Sequence, residues 1–137
     1  MIKLVVDTNA LLVSIPQFSA YHWFFQSIVK KEMLLFITTE ILSEYEEVIA
    51  SKLTPQIASS VIRTLIELEN VIPTTVYFKY QLIRQDPDDD KFVNCAIAAN
   101  TDFIVTHDRH FDALKTIDFP KIKTITLPGL SKVLSKS

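Results

Sequence analysis

A single glycine, Gly129, stands among the 137 residues. Loops that cradle phosphates on backbone N–H groups need several glycines, because only a residue without a Cβ lets main chain approach a ligand so closely. The Rossmann and P-loop readings therefore fall away. Cysteine is equally scarce: Cys95 alone cannot form an internal disulfide, and its place in an apolar helical pattern reads as a buried thiol rather than a nucleophile. A reducing compartment suits it. Surplus positive charge is missing too, with 14 Lys and Arg against 16 Asp and Glu and a net charge of −2. This excludes a protein that coats duplex nucleic acid, whereas a nuclease remains open because an acidic metal site offsets a basic rim in the total. No apolar run is long enough to span a bilayer, and the opening Ile2-Lys3-Leu4-Val5-Val6 stops at Asp7, so no signal peptide is read and the cytoplasm is the expected location. Repeats, low-complexity tracts and linkers are also lacking. One domain over residues 1–137 is expected, and 48% hydrophobic against 22% charged residues gives it a substantial core.

What is present alternates between strand and helix signals. Leu4-Val5-Val6 reads as a first buried strand, Phe18 to Lys31 as a helix, Leu34 to Ile37 as a strand, and Thr39 to Lys52 as a helix opened by a threonine cap. Pro55 to Glu69 reads as a helix with proline in its first turn, followed by a brief extended piece at Val71-Ile72. Tyr77 to Arg84 is expected as a short helix, Asp88 to Asn100 as an apolar helix, and Phe103 to Thr106 as a strand. Ile122 to Leu127 is read as the last strand, before a short C-terminal helix. Strands separated by helices imply an α/β fold with a parallel sheet covered on both faces.

Ligands of open α/β sheets bind beyond the carboxyl ends of the strands, which directs attention to the residues that follow each strand. Two are aspartates: Asp7 in Val5-Val6-Asp7-Thr8-Asn9 and Asp108 in Thr106-His107-Asp108. Either alone would be read as a turn or cap residue. Between them in sequence lies Gln85-Asp86-Pro87-Asp88-Asp89-Asp90-Lys91-Phe92, with more acid than capping needs. Asp88 and Asp89 are the natural cap and first-turn acids. Asp90 aligns with Val93, Asn94 and Ile97 beside the apolar stripe, but Asp89 aligns equally well with Phe92, Val93 and Ala96, so periodicity does not choose between them. Glu44 and Glu46 tie in the same way at the edges of the stripe Ile41, Leu42, Tyr45, Val48 and Ile49, while Glu40 and Glu47 read as solvated helix face. Several carboxylates facing one pocket resist ionising together unless a cation sits among them, and all-oxygen ligands suit Mg²⁺ or Mn²⁺.

The order Asp7-Thr8-Asn9, Glu44, Asp90 and Val105-Thr106-His107-Asp108 resembles the PIN-domain ribonucleases, most of all the bacterial toxin components of toxin–antitoxin pairs (VapC-like ribonucleases). The resemblance runs from Met1 to the strand ending at Leu127. It implies a PIN-like parallel sheet of four to five strands with helices on both faces. It further implies a Mg²⁺-dependent endoribonuclease acting on RNA, often a homodimer, held inactive by an antitoxin protein. The family pattern selects Glu44 and Asp90 as the acids joining Asp7 and Asp108. Together these four would be the catalytic residues, holding one or two ions that make a hydroxide from water and steady the leaving oxygen. Thr8, Asn9 and Thr106 would orient carboxylates or water, and Arg84, Lys91, His107, Arg109 and His110 are candidate substrate contacts. His107 departs from the pattern, because many relatives carry glycine there, and it would add a donor to the substrate.

A zinc pair of His107 and His110 with Asp108 lacks a third nitrogen or sulfur ligand nearby. His22, among Tyr21, Trp23, Phe24 and Phe25, reads as core or subunit interface rather than a base-stacking platform. An aspartate phosphotransfer domain of the haloacid-dehalogenase kind would want an aspartate where Asn9 stands, and a receiver domain a lysine ending a late strand. A non-catalytic PIN-like domain that binds RNA or a partner protein is the main alternative, and retention of four acids argues against it.

Overall fold

Lys3–Val6 (β1) opens the chain with side chains alternately above and below the sheet, and Leu4, Val5 and Val6 are all fully buried. Consecutive buried residues on a strand mean that both sheet faces are covered. The computed structural model describes residues 1–79, 89–116 and 121–135. Among these, Thr8–Ser14 (α1) and His22–Val29 (α2) lead to Leu34–Ile37 (β2), and Thr39–Lys52 (α3) and Pro55–Glu67 (α4) lead to Val71–Pro73 (β3). Asp90–Ala99 (α5) precedes Phe103–Val105 (β4), a 3₁₀ helix covers Arg109–Thr116, and Thr124–Ile125 (β5) precedes Leu127–Ser135 (α6). The five described strands form one parallel sheet in the order β3-β2-β1-β4-β5.

That order matters for function. From β1 the chain steps outward through β2 to β3, then returns across the sheet to place β4 on the other side of β1. The reversal of direction lies between β1 and β4, where crevices open at the carboxyl edge of such sheets. Asp7 and Asp108 follow those two strands.

Local chemistry explains the helix boundaries. Thr38 and Thr54 each accept a hydrogen bond at the side-chain oxygen, from the N–H of Ile41 at 3.1 Å and of Ile57 at 3.0 Å, and so cap α3 and α4. Pro55 suits the first turn of α4, where its missing N–H has no partner to lose. Ile41, Tyr45 and Ile49 bury one stripe of α3, and α5 buries Phe92, Val93, Cys95 and Ala96.

Several expectations shift. The helix expected from Phe18 begins at His22, because Ser19 ties the preceding segment into a turn: its hydroxyl donates to the Val13 carbonyl at 2.5 Å and accepts from the Tyr21 N–H at 3.1 Å. α4 ends at Glu67, with Leu68 already extended. The last strand is two residues long, and Leu127 starts α6 instead of ending β5, since the Thr126 hydroxyl accepts the Gly129 N–H at 3.1 Å. Tyr77, Phe78 and Lys79 have no regular structure, and the rest of the helix expected there lies outside the described residues, as does Asp88. α1 and the 3₁₀ helix were not anticipated.

Candidate active site at the carboxyl edge of the sheet

Asp7 directly follows β1 with only 5% of its surface exposed, its N–H bonded to the Val105 carbonyl at 3.0 Å. The Thr106 hydroxyl donates to its carboxylate at 2.8 Å and accepts the Asp108 N–H at 3.0 Å. One threonine therefore fixes both strand-end aspartates relative to each other. Burial raises the pKa of Asp7. The Thr106 bond opposes that rise and the nearby Asp108 charge adds to it; more weakly, the Thr8 N–H lowers the pKa and the Glu44 charge raises it.

Glu44 reaches this corner from α3. Tyr45, fully buried, donates its hydroxyl to the Val6 carbonyl at 2.5 Å, fastening α3 to the end of β1. Burial, followed by the neighbouring Cys95, Asp7 and Glu44, pushes the Tyr45 phenol well above its ordinary range, so it stays a neutral donor. With Tyr45 anchored, Glu44 accepts hydrogen bonds from the Thr8 hydroxyl and, at 2.5 Å, from Lys91 Nζ. Lys91 and Glu44 expose only 14% and 25% of their side chains, so the ion pair is shielded from bulk water. Glu46 and Glu47 are exposed on α3.

The structure thus places Asp108 and Glu44 near enough for the charge of each to act on Asp7, and adds Thr8 and Thr106 as hydrogen-bonding partners. Asp90 is partly exposed in the first turn of α5, next to Lys91, and Asp89 occupies the N-cap position without a side-chain capping bond. Asn9 and Arg109 are exposed. Arg84 lies outside the described residues, as does the side chain of His110. The His107 ring accepts the Leu127 N–H at Nε2 over 3.4 Å and lies 5.8 Å from the Tyr21 ring, tying the loop after β4 to α6. Cys95 is the buried thiol expected, with burial raising its pKa to about 12 against a Thr74 hydrogen bond that lowers it. His22 bonds the Ser14 carbonyl at 2.9 Å through Nδ1 and stacks on Phe25. Sequence reasoning missed the anchoring role of Tyr45 and the Lys91 pairing. A tyrosine inside a buried stripe was the available signal, because a buried hydroxyl needs an acceptor.

Among the described residues, no three His, Cys, Asp or Glu side chains form a group able to hold a metal ion. The donor chemistry still fits Mg²⁺, which keeps several waters and takes only one or two carboxylates from a protein. Asp7 and Asp108 supply these, and the charge crowding that raises Asp7 is what a cation would relieve.

A parallel α/β sheet with acids gathered at its switch point defines the class. The chain belongs to the PIN-domain family, whose model matches residues 3–110, from the start of β1 to just beyond Asp108. No curated protein is a significant sequence match. Among solved structures, the chain is similar to VapBC2 from Rickettsia felis bound to a DNA fragment from its promoter, with a TM-score of 0.63 and 18% identity over 91% of this chain and 98% of that one. DNA-bound VapBC from Salmonella typhimurium gives 0.59 and 19% over 93% and 99%, and FitAcB from Neisseria gonorrhoeae 0.58 and 14% over 90% and 97%. At these identities the likeness shows the shared fold.

Proposed function

We propose that this chain is a Mg²⁺-dependent endoribonuclease, the toxin component of a toxin–antitoxin pair, acting as a single domain over residues 1–137. The observation that carries the reading is the convergence of Asp7 and Asp108 at the sheet's switch point, coupled to Glu44 and cross-linked by Thr106. VapC-type PIN domains are typically nucleases that use a divalent metal, and the similarity to VapBC complexes supports an antitoxin as partner. A homodimer and a cytoplasmic setting complete the proposal. Among the described residues no helix is long and apolar enough to cross a membrane.

Asp7, Asp108, Asp90 and Glu44 would hold the metal, directly or through water, and bound Mg²⁺ or Mn²⁺ would supply a nucleophile from water at neutral pH and neutralise charge at phosphorus. The chain's own contribution is positional. Thr106 holds the Asp7 carboxylate in one orientation, Thr8 and Lys91 hold Glu44, and Tyr45 keeps the helix bearing Glu44 against β1. Burial of Asp7 strengthens its interaction with any cation that enters.

One observation favours a second reading, a PIN-like domain that binds RNA or a partner without cutting: Glu44 is already neutralised by Lys91. Incubation of the purified protein with a mixed RNA pool separates the two. Cleavage with Mg²⁺ or Mn²⁺, none in EDTA, and loss by orders of magnitude in Asp7→Asn and Asp90→Asn are expected of the nuclease. Cleavage that persists in excess EDTA, or retention of full activity in both variants, defeats it.

A further inference from the structure

Beside the acids, and sharing Lys91 with them, lies a cleft of about 320 Å³. Its walls carry Lys79 and Lys91 together with the threonines 38, 39, 74 and 75. Among the described residues Glu40 is the one acid that lines it, and Glu40 is exposed to solvent. A second cleft, about 140 Å³, continues from the first, since Thr75 and Asn94 line both. Its other walls include Tyr77, Phe78 and Ile97.

Tyr77 and Phe78 are 83% and 73% exposed. Two adjacent aromatics left in water at the end of an irregular segment add nothing to the core, yet both border a cleft that leads to lysines and hydroxyls. Ammonium groups and hydroxyl donors match a phosphate backbone, and aromatic faces match unstacked bases. A folded duplex would not present its bases to such side chains, whereas a single strand would.

We infer that this path, from Lys91 through Lys79 to Tyr77 and Phe78, is a binding track for single-stranded RNA that feeds the strand to the acidic site. The inference rests on the nuclease reading for the identity of the strand and for its direction toward Asp7. Lys91 joins the two regions, because its ammonium sits on Glu44 while its side chain forms part of the cleft wall. The track works by stacking and charge, so it grips the strand without selecting its sequence.

Fluorescence anisotropy with a short labelled oligouridylate and its deoxy counterpart, both in EDTA, tests the track without any cleavage. Tyr77→Ala and Phe78→Ala are each expected to weaken RNA binding about tenfold, equivalent to about 1.4 kcal/mol. Lys79→Ala should reduce the slope of log K against log salt by about 0.7, the share of one phosphate contact on a single strand. Phe18→Ala removes a comparably exposed aromatic, 94% accessible and outside both clefts, and should leave binding unchanged. All four side chains are exposed, so melting temperatures should match the parent and exclude misfolding as the cause. The deoxy strand should lose affinity in parallel. Unchanged RNA affinity in the two aromatic variants and Lys79→Ala, or weakening confined to DNA, overturns the track, whether or not the face then proves to dock a protein. Weakened binding beside a parent that never cleaves RNA leaves the track standing and removes the nuclease reading. Normal binding in the variants beside an active parent does the reverse.

Discussion

Asp7 carries the electrostatic strain of the site. Its carboxylate is buried, feels the charges of Asp108 and Glu44, and is steadied by the Thr106 hydroxyl and the Thr8 N–H. A carboxyl whose folded pKa lies above the ordinary 3.8 binds its proton more tightly in the folded chain than in the unfolded one. Stability from this group is therefore greatest at low pH and is lost as pH rises from 3.8 through the folded value. Asparagine keeps an acceptor for Thr106 and removes the charge. Asp7→Asn should accordingly melt higher than the parent in EDTA at neutral pH, with about 1 kcal/mol corresponding to about 3–5 °C for a chain of this size. The gap should close as pH falls through the folded value and below 3.8, where Asp7 of the parent is protonated in both the folded and the unfolded chain. Melting curves in EDTA at several pH values check this, and a variant less stable at pH 7 would show that the Asp7 charge is satisfied by structure alone.

At the scale of elements, α3 does most to assemble the site. Its threonine cap sets where the helix starts, its buried stripe sets which side faces the sheet, and the Tyr45 hydroxyl pins it to the last carbonyl of β1. Glu44 follows from those constraints, since the residue before an anchored tyrosine has little freedom in direction. Tyr45→Phe keeps the ring and removes the bond, so a loss of about 1–2 kcal/mol is expected from an otherwise conservative change. Urea unfolding should show the midpoint lowered with the slope unchanged. If the nuclease reading holds, activity should fall in the same variant, because the Glu44 carboxylate loses its fixed position. α5 contributes in a similar way through Lys91, whose pairing with Glu44 bridges the two helices across the site.

For the whole molecule, the consequence of the acidic edge is linkage between metal and stability. An ion that binds only the folded form stabilises by RT ln(1 + [L]/Kd), about 2.7 kcal/mol at a hundredfold excess over Kd. The parent's melting temperature should rise with Mg²⁺ concentration, and that of Asp108→Asn should rise less. Calorimetric scans across a Mg²⁺ series measure both. A parent whose melting temperature ignores Mg²⁺ and Mn²⁺ alike would remove the metal from the proposal while leaving the fold and the family untouched.

Local signals were enough for much of this architecture. Thr38, Thr54 and Pro55 mark helix starts, the 3.6-residue stripe of α3 and the β-branched runs of β1 and β2 identify their elements, and each of these depends on neighbours a few residues away. The aspartates beyond the ends of two strands were equally visible, because Asp7 directly follows an apolar run and Asp108 stands three residues after another. Short elements escaped: the seven residues of α1 carry little periodicity, and the Ser19 turn that delays α2 is made by side-chain bonds rather than by composition. Spacing alone also left Glu44 level with Glu46, since both lie at the edge of one helical stripe. The tertiary structure distinguishes them physically, because Thr8 and Lys91 come from distant parts of the chain to bond Glu44, while Glu46 faces water. The same holds for the strand order β3-β2-β1-β4-β5 and for the alignment of Lys91, Lys79, Tyr77 and Phe78 along joined clefts. The sequence by itself determined the elements and the acids available to them; which acids meet, and what lies beside them, was decided by pairing between residues tens of positions apart, a choice local propensity does not encode.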